Sequence, residues 1–493
     1  MTNAFLLPAI GVVTLATLGI GAYGLRLART TSDFLVASRV ISPTWNAAAI
    51  SGEYLSAASF LGVAGLILRF GVDMLWYPVG FAAGYLALLL FVAAPLRRSG
   101  AFTLPDFCQL RLGSRRLRKL ATGFVVFIGW LYLVPQFQGA GLTLATVTGS
   151  PYWTGSVLVA AVVTANVAFG GMRAITFVQA FQYWLKLTAL AVPAIFLVLH
   201  WRAMGQPHVP APLEWLLPSE GGKRGLFSTY SLMLATFLGT MGLPHVLVRF
   251  YTNPDGAAAR RTTLVVLGLV GAFYLFPTLY GVLGRIWTPE LTTGRSDAVV
   301  LLLPERALGD GVLGQLLGAL VAAGAFAAFL STASGLLTAV AGVLATDVLG
   351  SGSVRAFRVA AVLGGAVPLL LALNVTGLNV SQVVGLAFAV AASSFCPLLV
   401  LGTWWRGLTD LGAAAGILAG GGAAAASVLV TVFGPTLPGA AGDLIAQPAA
   451  WTVPLAFAVM AAVSLATQHR VPTDIRQIMF RLHAPEALRP TAL

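Results

Sequence analysis

The chain has 493 residues, 58% of them hydrophobic and only 9% charged, with a formal net charge of +13. A soluble domain carries roughly a quarter of charged residues, so this composition excludes one and describes an all-α or barrel-type integral membrane protein. The positive charge does not point to nucleic acid, because the basic residues sit in short segments between apolar runs, where they act as topology signals.

Most of the apolar runs are about 20 to 25 residues long, enough to cross about 30 Å of hydrocarbon as helices, and they lack the period-two alternation of barrel strands. The lipid bilayer is therefore the first partner, and the expected class is all-α. Thirteen spans are expected, near 5–25, 43–67, 71–95, 120–146, 153–172, 174–199, 225–247, 262–287, 312–347, 356–373, 380–404, 408–433 and 450–467. The first lacks a basic leader and a clear cleavage site and reads as retained, with a signal peptide as the alternative. With the N-terminus outside, the inner segments hold 21 Lys and Arg and the outer ones seven, while Lys186 lies within a span. That bias orients the N-terminus outside and the C-terminus in the cytoplasm of a cell membrane.

Two spans look interrupted. The second reads "AISGEYLSAASFLG" (49–62) and carries Glu53 amid small residues. A lone carboxylate in hydrocarbon costs at least about 2.5 kcal/mol, so it faces a protein interior or a water-filled path. The seventh reads "TFLGTMGLPHVL" (236–247), with Gly239, Gly242 and Pro244 breaking the helical pattern. Interrupted helices at matching places in two five-span sets are the arrangement of a midplane transport site; the plainer alternative is close packing through glycine. No HExxH, no GxSxG and no His/carboxylate cluster within a span supports an enzyme. The tail is too short for a signalling domain, and Cys108 and Cys396 have no metal-site company. The sequence carries no signal of oligomeric state.

Four stretches, "TLPDF" (103–107), "FGGMRAITFVQAFQYWLK" (169–186), "GLPHVLVRFYTNPDGAAARRT" (242–262) and "FLSTASGLLTAVAGVLATDVLG" (329–350), resemble the signature segments of the sodium/solute symporters, in that family's order. The resemblance covers about residues 30 to 410. "SGEYLSAASFLG" and "PQFQGAGLTL" are most similar to the acetate permease, or cation/acetate symporter, branch. The resemblance implies a leucine-transporter-like inverted-repeat fold of about 13 transmembrane helices. Its expected parts are an extra helix and inner loop (1–42), a first repeat (43–199), an outer loop (200–224), a second repeat (225–404) and two extra helices with a tail (405–493). The implied function is import of acetate or a similar short monocarboxylate, a small organic anion, coupled to sodium by alternating access. A proton-coupled symporter using Lys186 and Glu53, or a sodium symporter for another solute, are the alternatives. No organic cofactor is expected.

Sodium in such a site wants about five hard oxygens. Ser331 and Thr332 offer adjacent hydroxyls and Ala328 a carbonyl one turn earlier; the resemblance pairs them with carbonyls of the helix break at Ser51 and Tyr54. Otherwise the two hydroxyls bond back to their own helix. Glu53 stands where many relatives carry Asp, and either favours a nearby cation, carries a proton or accepts backbone N–H groups of the broken helix. Gln179 replaces an Asp of other branches, which implies no second sodium. Lys186, two turns further on, pairs with a substrate carboxylate or Glu53, carries a proton, or snorkels. The resemblance places the substrate among Ser56, Tyr132, Gln136, Thr236 and Thr240. His245 reads as a backbone partner or a proton relay, and Asp106 and Asp347 as ion partners of Arg111, Arg115 and Arg355.

Overall fold

A computed structural model describes residues 3–25, 41–217, 225–374, 380–435 and 437–486, and among them there are helices and no strands. Most of the inner segment 26–42 and the end of the tail, both used for the charge count, lie outside the described residues. Ten helices are long and apolar enough to cross a membrane, and eleven with the bent pair Leu226–Gly242 and Pro244–Phe250. Two of the ten, covering 58–99 and 152–203, are each divided by a glycine of positive φ, Gly71 and Gly171, where the apolar pattern places separate spans. The thirteen expected segments are thus all present as helices.

The elements that position the site are α1 (Leu6–Leu25), α2 (Pro43–Tyr54), α3 (Val63–Phe70), α4 (Trp76–Ala87), α5 (Ala93–Ser99), α6 (Leu104–Leu112), α7 (Arg115–Thr148) and α8 (Tyr152–Ala203). They continue with α9 (Leu226–Gly242), α10 (Pro244–Phe250), α11 (Gly256–Trp287), α12 (Val299–Leu308), α13 (Val312–Val343), α14 (Val354–Asn374) and α15 (Val380–Trp404). Two long helices, Asp410–Phe433 and Ala449–Ala466, the short Gly439–Ala446 between them and the short α16 (Ile475–His483) follow. The heart of the bundle is α13, buried along nearly its whole length and packed on α8, with α2 against both. Its sequence allows this: Gly, Ala, Ser and Thr let neighbouring backbones approach closely. Gly80 and Gly84 of α4 do the same for α9, since a Cβ at either would collide with Thr236 or Thr240.

The expected partners of Asp106 and Asp347 are corrected. Both carboxylates meet Arg118, at 2.8 and 2.6 Å, whereas Arg111 donates to the carbonyls of Gly402 and Trp405 at 2.7 and 3.0 Å. Arg118 wins because Asp106 is fixed in the capping box of α6 with Thr103 and so points toward the first turn of α7. The tail docks at the same end of the bundle. Arg98 donates to the His483 carbonyl at 2.9 Å, and Glu486 accepts the Gly256 N–H at 2.8 Å. Burial works against the Glu486 carboxylate, but that N–H and Arg98 hold it below the usual range.

Gly171 divides α8 at φ 62°, ψ −178°, a backbone region open essentially to glycine alone. Gly171→Ala is expected to destabilise the protein by about 1–3 kcal/mol, measurable as an earlier thermal unfolding transition in detergent. An unchanged transition would show that the kink is not strained.

Candidate functional site

Two helix breaks face each other at the centre of the bundle. In the first, α2 stops at Tyr54, and Leu55 leaves helical geometry at φ −74°, ψ 86° before a wide π-type turn begins at Ala58. The carbonyls of Gly52 and Leu55 are thereby freed from regular α-helical partners, and the Ala57 N–H is satisfied by Gln136 Oε1 at 3.1 Å. In the second, Leu243 is extended (φ −71°, ψ 116°) and Pro244, which has no N–H to offer, starts α10 at a bend of 42°.

Polar side chains from α8, α10 and α13 gather on the first break. Thr332 donates to the Glu53 carbonyl at 2.6 Å, and Ser331 Oγ lies 2.7 Å from the Gly52 carbonyl and 3.1 Å from the Ala328 carbonyl. Lys186 Nζ donates to the Leu55 carbonyl at 2.7 Å, to Ser331 Oγ at 2.8 Å and to the Gly52 carbonyl. Beside it, Arg249 Nε donates to Glu53 Oε2 at 2.6 Å, Nη1 donates to Thr176 Oγ1 at 2.8 Å, and Nη2 donates to Gln179 Oε1. Gln179 in turn donates to the Ser331 carbonyl at 2.7 Å. Glu53, Arg249, Lys186 and Gln179 are each no more than 2% exposed. One hydrogen-bonded network thus ties α2, α8, α10 and α13 together.

The structure brings Ala328, Ser331 and Thr332 to the first break, as the resemblance implied, and places Glu53 and Lys186 there with them. At the helix break the carbonyls that meet these side chains are those of Gly52, Glu53 and Leu55. The Ser51 carbonyl still accepts a helical N–H, from Leu55 at 3.1 Å, because the helix runs on to Tyr54. The Tyr54 hydroxyl lies instead 2.7 Å from Thr240 Oγ1. Arg249, counted from sequence among the loop bases of 248–261, is a buried core residue, because α10 continues to Phe250 and its last turn faces Glu53. An Arg six residues after a helix break, inside the apolar run "PHVLVRF", was the available signal.

Of the expected substrate residues, Gln136 serves the backbone of the break, and Thr236 and Thr240 bond back to the carbonyls of Leu232 and Thr236 at 2.9 and 2.7 Å. Tyr132 is buried edge-on against His245 and Phe388, with ring centres 5.4 and 5.8 Å away. Ser56 is buried beside the Tyr132 hydroxyl, and among the described residues the Tyr85 hydroxyl and both ring nitrogens of His245 are buried with no hydrogen-bond partner. Among the described residues the His245 ring therefore bonds neither backbone nor side chain.

These features, two facing helix breaks with buried charge and polar groups between them, define a secondary transporter. The profile of the sodium:solute symporter family matches residues 34–420, and the chain belongs to that family. It is 34% identical over 436 residues to the uncharacterized symporter YwcA of Bacillus subtilis (strain 168), covering 85% of this chain and 84% of that one. Among solved structures, the substrate-bound, outward-open Na+-coupled sialic acid symporter superposes with a TM-score of 0.72 at 14% identity, over 93% of this chain and 97% of that one. The nucleobase-cation-symport-1 family transporter Mhp1 follows at 0.59 and 15% identity (91% and 98%), and MhsT with L-phenylalanine at 0.55 and 16% (85% and 98%). The fold is the leucine-transporter-like, all-helical transporter fold.

Breaking a buried ion pair by removing one partner costs about 3–5 kcal/mol, because the other charge is left alone. Glu53→Gln and Arg249→Met are each expected to lose about that much stability, and the double variant to lose clearly less than the sum. Thermal unfolding of the four proteins in detergent checks this; additive losses would show that the pair is not coupled.

Proposed function

We propose that the protein is a secondary active symporter that imports acetate or a similar short-chain monocarboxylate by alternating access, energised by a cation gradient. The observation that carries the substrate class is the charge at the helix breaks. Two cationic side chains, Lys186 and Arg249, are buried about a single carboxylate, Glu53. An excess positive charge in a membrane interior favours a small anion beside it. The Tyr85 and His245 side chains, which have no hydrogen-bond partner among the described residues, supply hydrogen-bonding groups of the kind such a solute uses.

Beside the break the rings of Tyr54, Phe81, Tyr85 and Phe388 pack on one another with centres 4.7 to 6.2 Å apart, which suits a small solute rather than a bulky one. Support for sodium as the coupled ion is family membership and the Na+-coupled neighbour of similar fold. The repeats 43–199 and 225–404 are the two halves that rock about the site, in a cell membrane with the N-terminus outside, as the Lys and Arg bias favours.

Purified protein in proteoliposomes is expected to accumulate labelled acetate under an imposed inward cation gradient, tested separately with sodium and with protons, and unlabelled propionate is expected to compete. Counterflow of acetate without any gradient marks it as a substrate. Absence of both accumulation and counterflow, in protein whose fold is verified by thermal unfolding, would remove short monocarboxylates.

A further inference from the structure

Lys186 stands where the sequence suggested a metal ion. Its Nζ has three acceptors, the Gly52 and Leu55 carbonyls and Ser331 Oγ, and an ammonium has three N–H donors to give them. Two of these oxygens belong to the break in α2 and the third to α13. They are the same two elements whose oxygens a sodium ion would bridge, and the Ala328 carbonyl is only 3.1 Å from Ser331 Oγ. The side chain is completely buried, so it does not snorkel toward either membrane face. Its reach is set by α8, which packs on both α2 and α13. Glu53, the carboxylate of the neighbouring residue, is held by Arg249 rather than by Lys186.

This donor set does not fit sodium as well. Sodium wants about five hard oxygens around it, and an ion placed among these would share three of them with an ammonium at contact distance. Like charges repel most strongly where the surroundings are least polarisable. With the lysine present, the oxygens of Gly52, Leu55 and Ser331 are committed.

We infer that the Lys186 ammonium is the resident cation of this locus, a tethered substitute for a sodium ion, joining α2 to α13 as a metal ion would. The coupled ion of the cycle is then not a sodium ion held between Gly52, Leu55 and Ser331. Its use in transport rests on the symporter function proposed above, but the occupancy of the locus does not, and can be read without any substrate.

The test is binding of radiolabelled sodium to purified protein in detergent, with no acetate present, together with thermal unfolding in sodium against choline. Wild type is expected to show no saturable sodium binding that depends on Ser331. Lys186→Ala, which leaves the oxygens and removes the ammonium, is expected to bind sodium at least about tenfold more tightly than wild type and to be stabilised by it. Saturable sodium binding in wild type that Ser331→Ala abolishes would overturn the inference, as would a folded Lys186→Ala that binds no sodium. Wild-type binding indifferent to Ser331→Ala would place sodium elsewhere and support it. If Lys186→Ala does not fold, the comparison of wild type with Ser331→Ala decides alone. Loss of acetate transport would count against the proposed substrate only.

Discussion

A broken helix inside a membrane must find partners for the backbone groups it frees, because no surrounding water offers them. The rest of this structure follows from how α2 meets that requirement. Its carbonyls at Gly52, Glu53 and Leu55 are taken by Lys186, Ser331 and Thr332, and the Ala57 N–H by Gln136. Those partners come from α7, α8 and α13, so satisfying one break fixes the mutual positions of α2, α7, α8 and α13. The small residues around the break permit the approach. A Cβ at Gly52 would collide with the Gln179 backbone, and one at Gly335 with the Glu53 carboxylate.

The same requirement explains the charges. A guanidinium brings five N–H donors in a rigid plane, and Arg249 spends them on Glu53, Thr176 and Gln179, so that the pair is hydrogen-bonded on several sides rather than only ion-paired. A buried pair of this kind is weak evidence for stability, since desolvation offsets much of the attraction. Its clearer consequence is geometric. It links α10, the half-helix after the second break, to α2, the half-helix before the first, and so couples the two interruptions that a transport cycle must move. The second cation, Lys186, leaves the centre with more positive than negative charge, and that imbalance is the chemical character a small anionic solute would meet.

The fold is shared with transporters only 14 to 16% identical in sequence. What persists at that distance is the packing of interrupted helices, which many sequences of small and apolar residues can satisfy. At that identity the side chains that line the breaks are free to differ, and in this chain a lysine lies among the oxygens of α2 and α13. A membership in the sodium:solute symporter family and a local site in which an ammonium replaces a metal ion are therefore compatible.

The class of the protein and the place of both interruptions were legible in the sequence, because they depend on hydropathy over about 20 residues and on local Gly, Pro and Ser content. So was the approach of Ala328, Ser331 and Thr332 to the helix break beside Glu53, through their resemblance to family segments. The sequence named the Ser51 carbonyl, which stays in a helical hydrogen bond while that of Gly52 is freed, because which carbonyl is freed depends on where the last helical hydrogen bond closes. It placed Arg249 in a loop, since the same side chain signals topology at a helix end and makes a core pair when the helix runs one turn further. It left Lys186 without a direction, because helical spacing fixes the height of a side chain along α8 but not which neighbour fills the space beside it. Only the packing of α8 against α2 and α13 decided that the ammonium lies among the oxygens of the break.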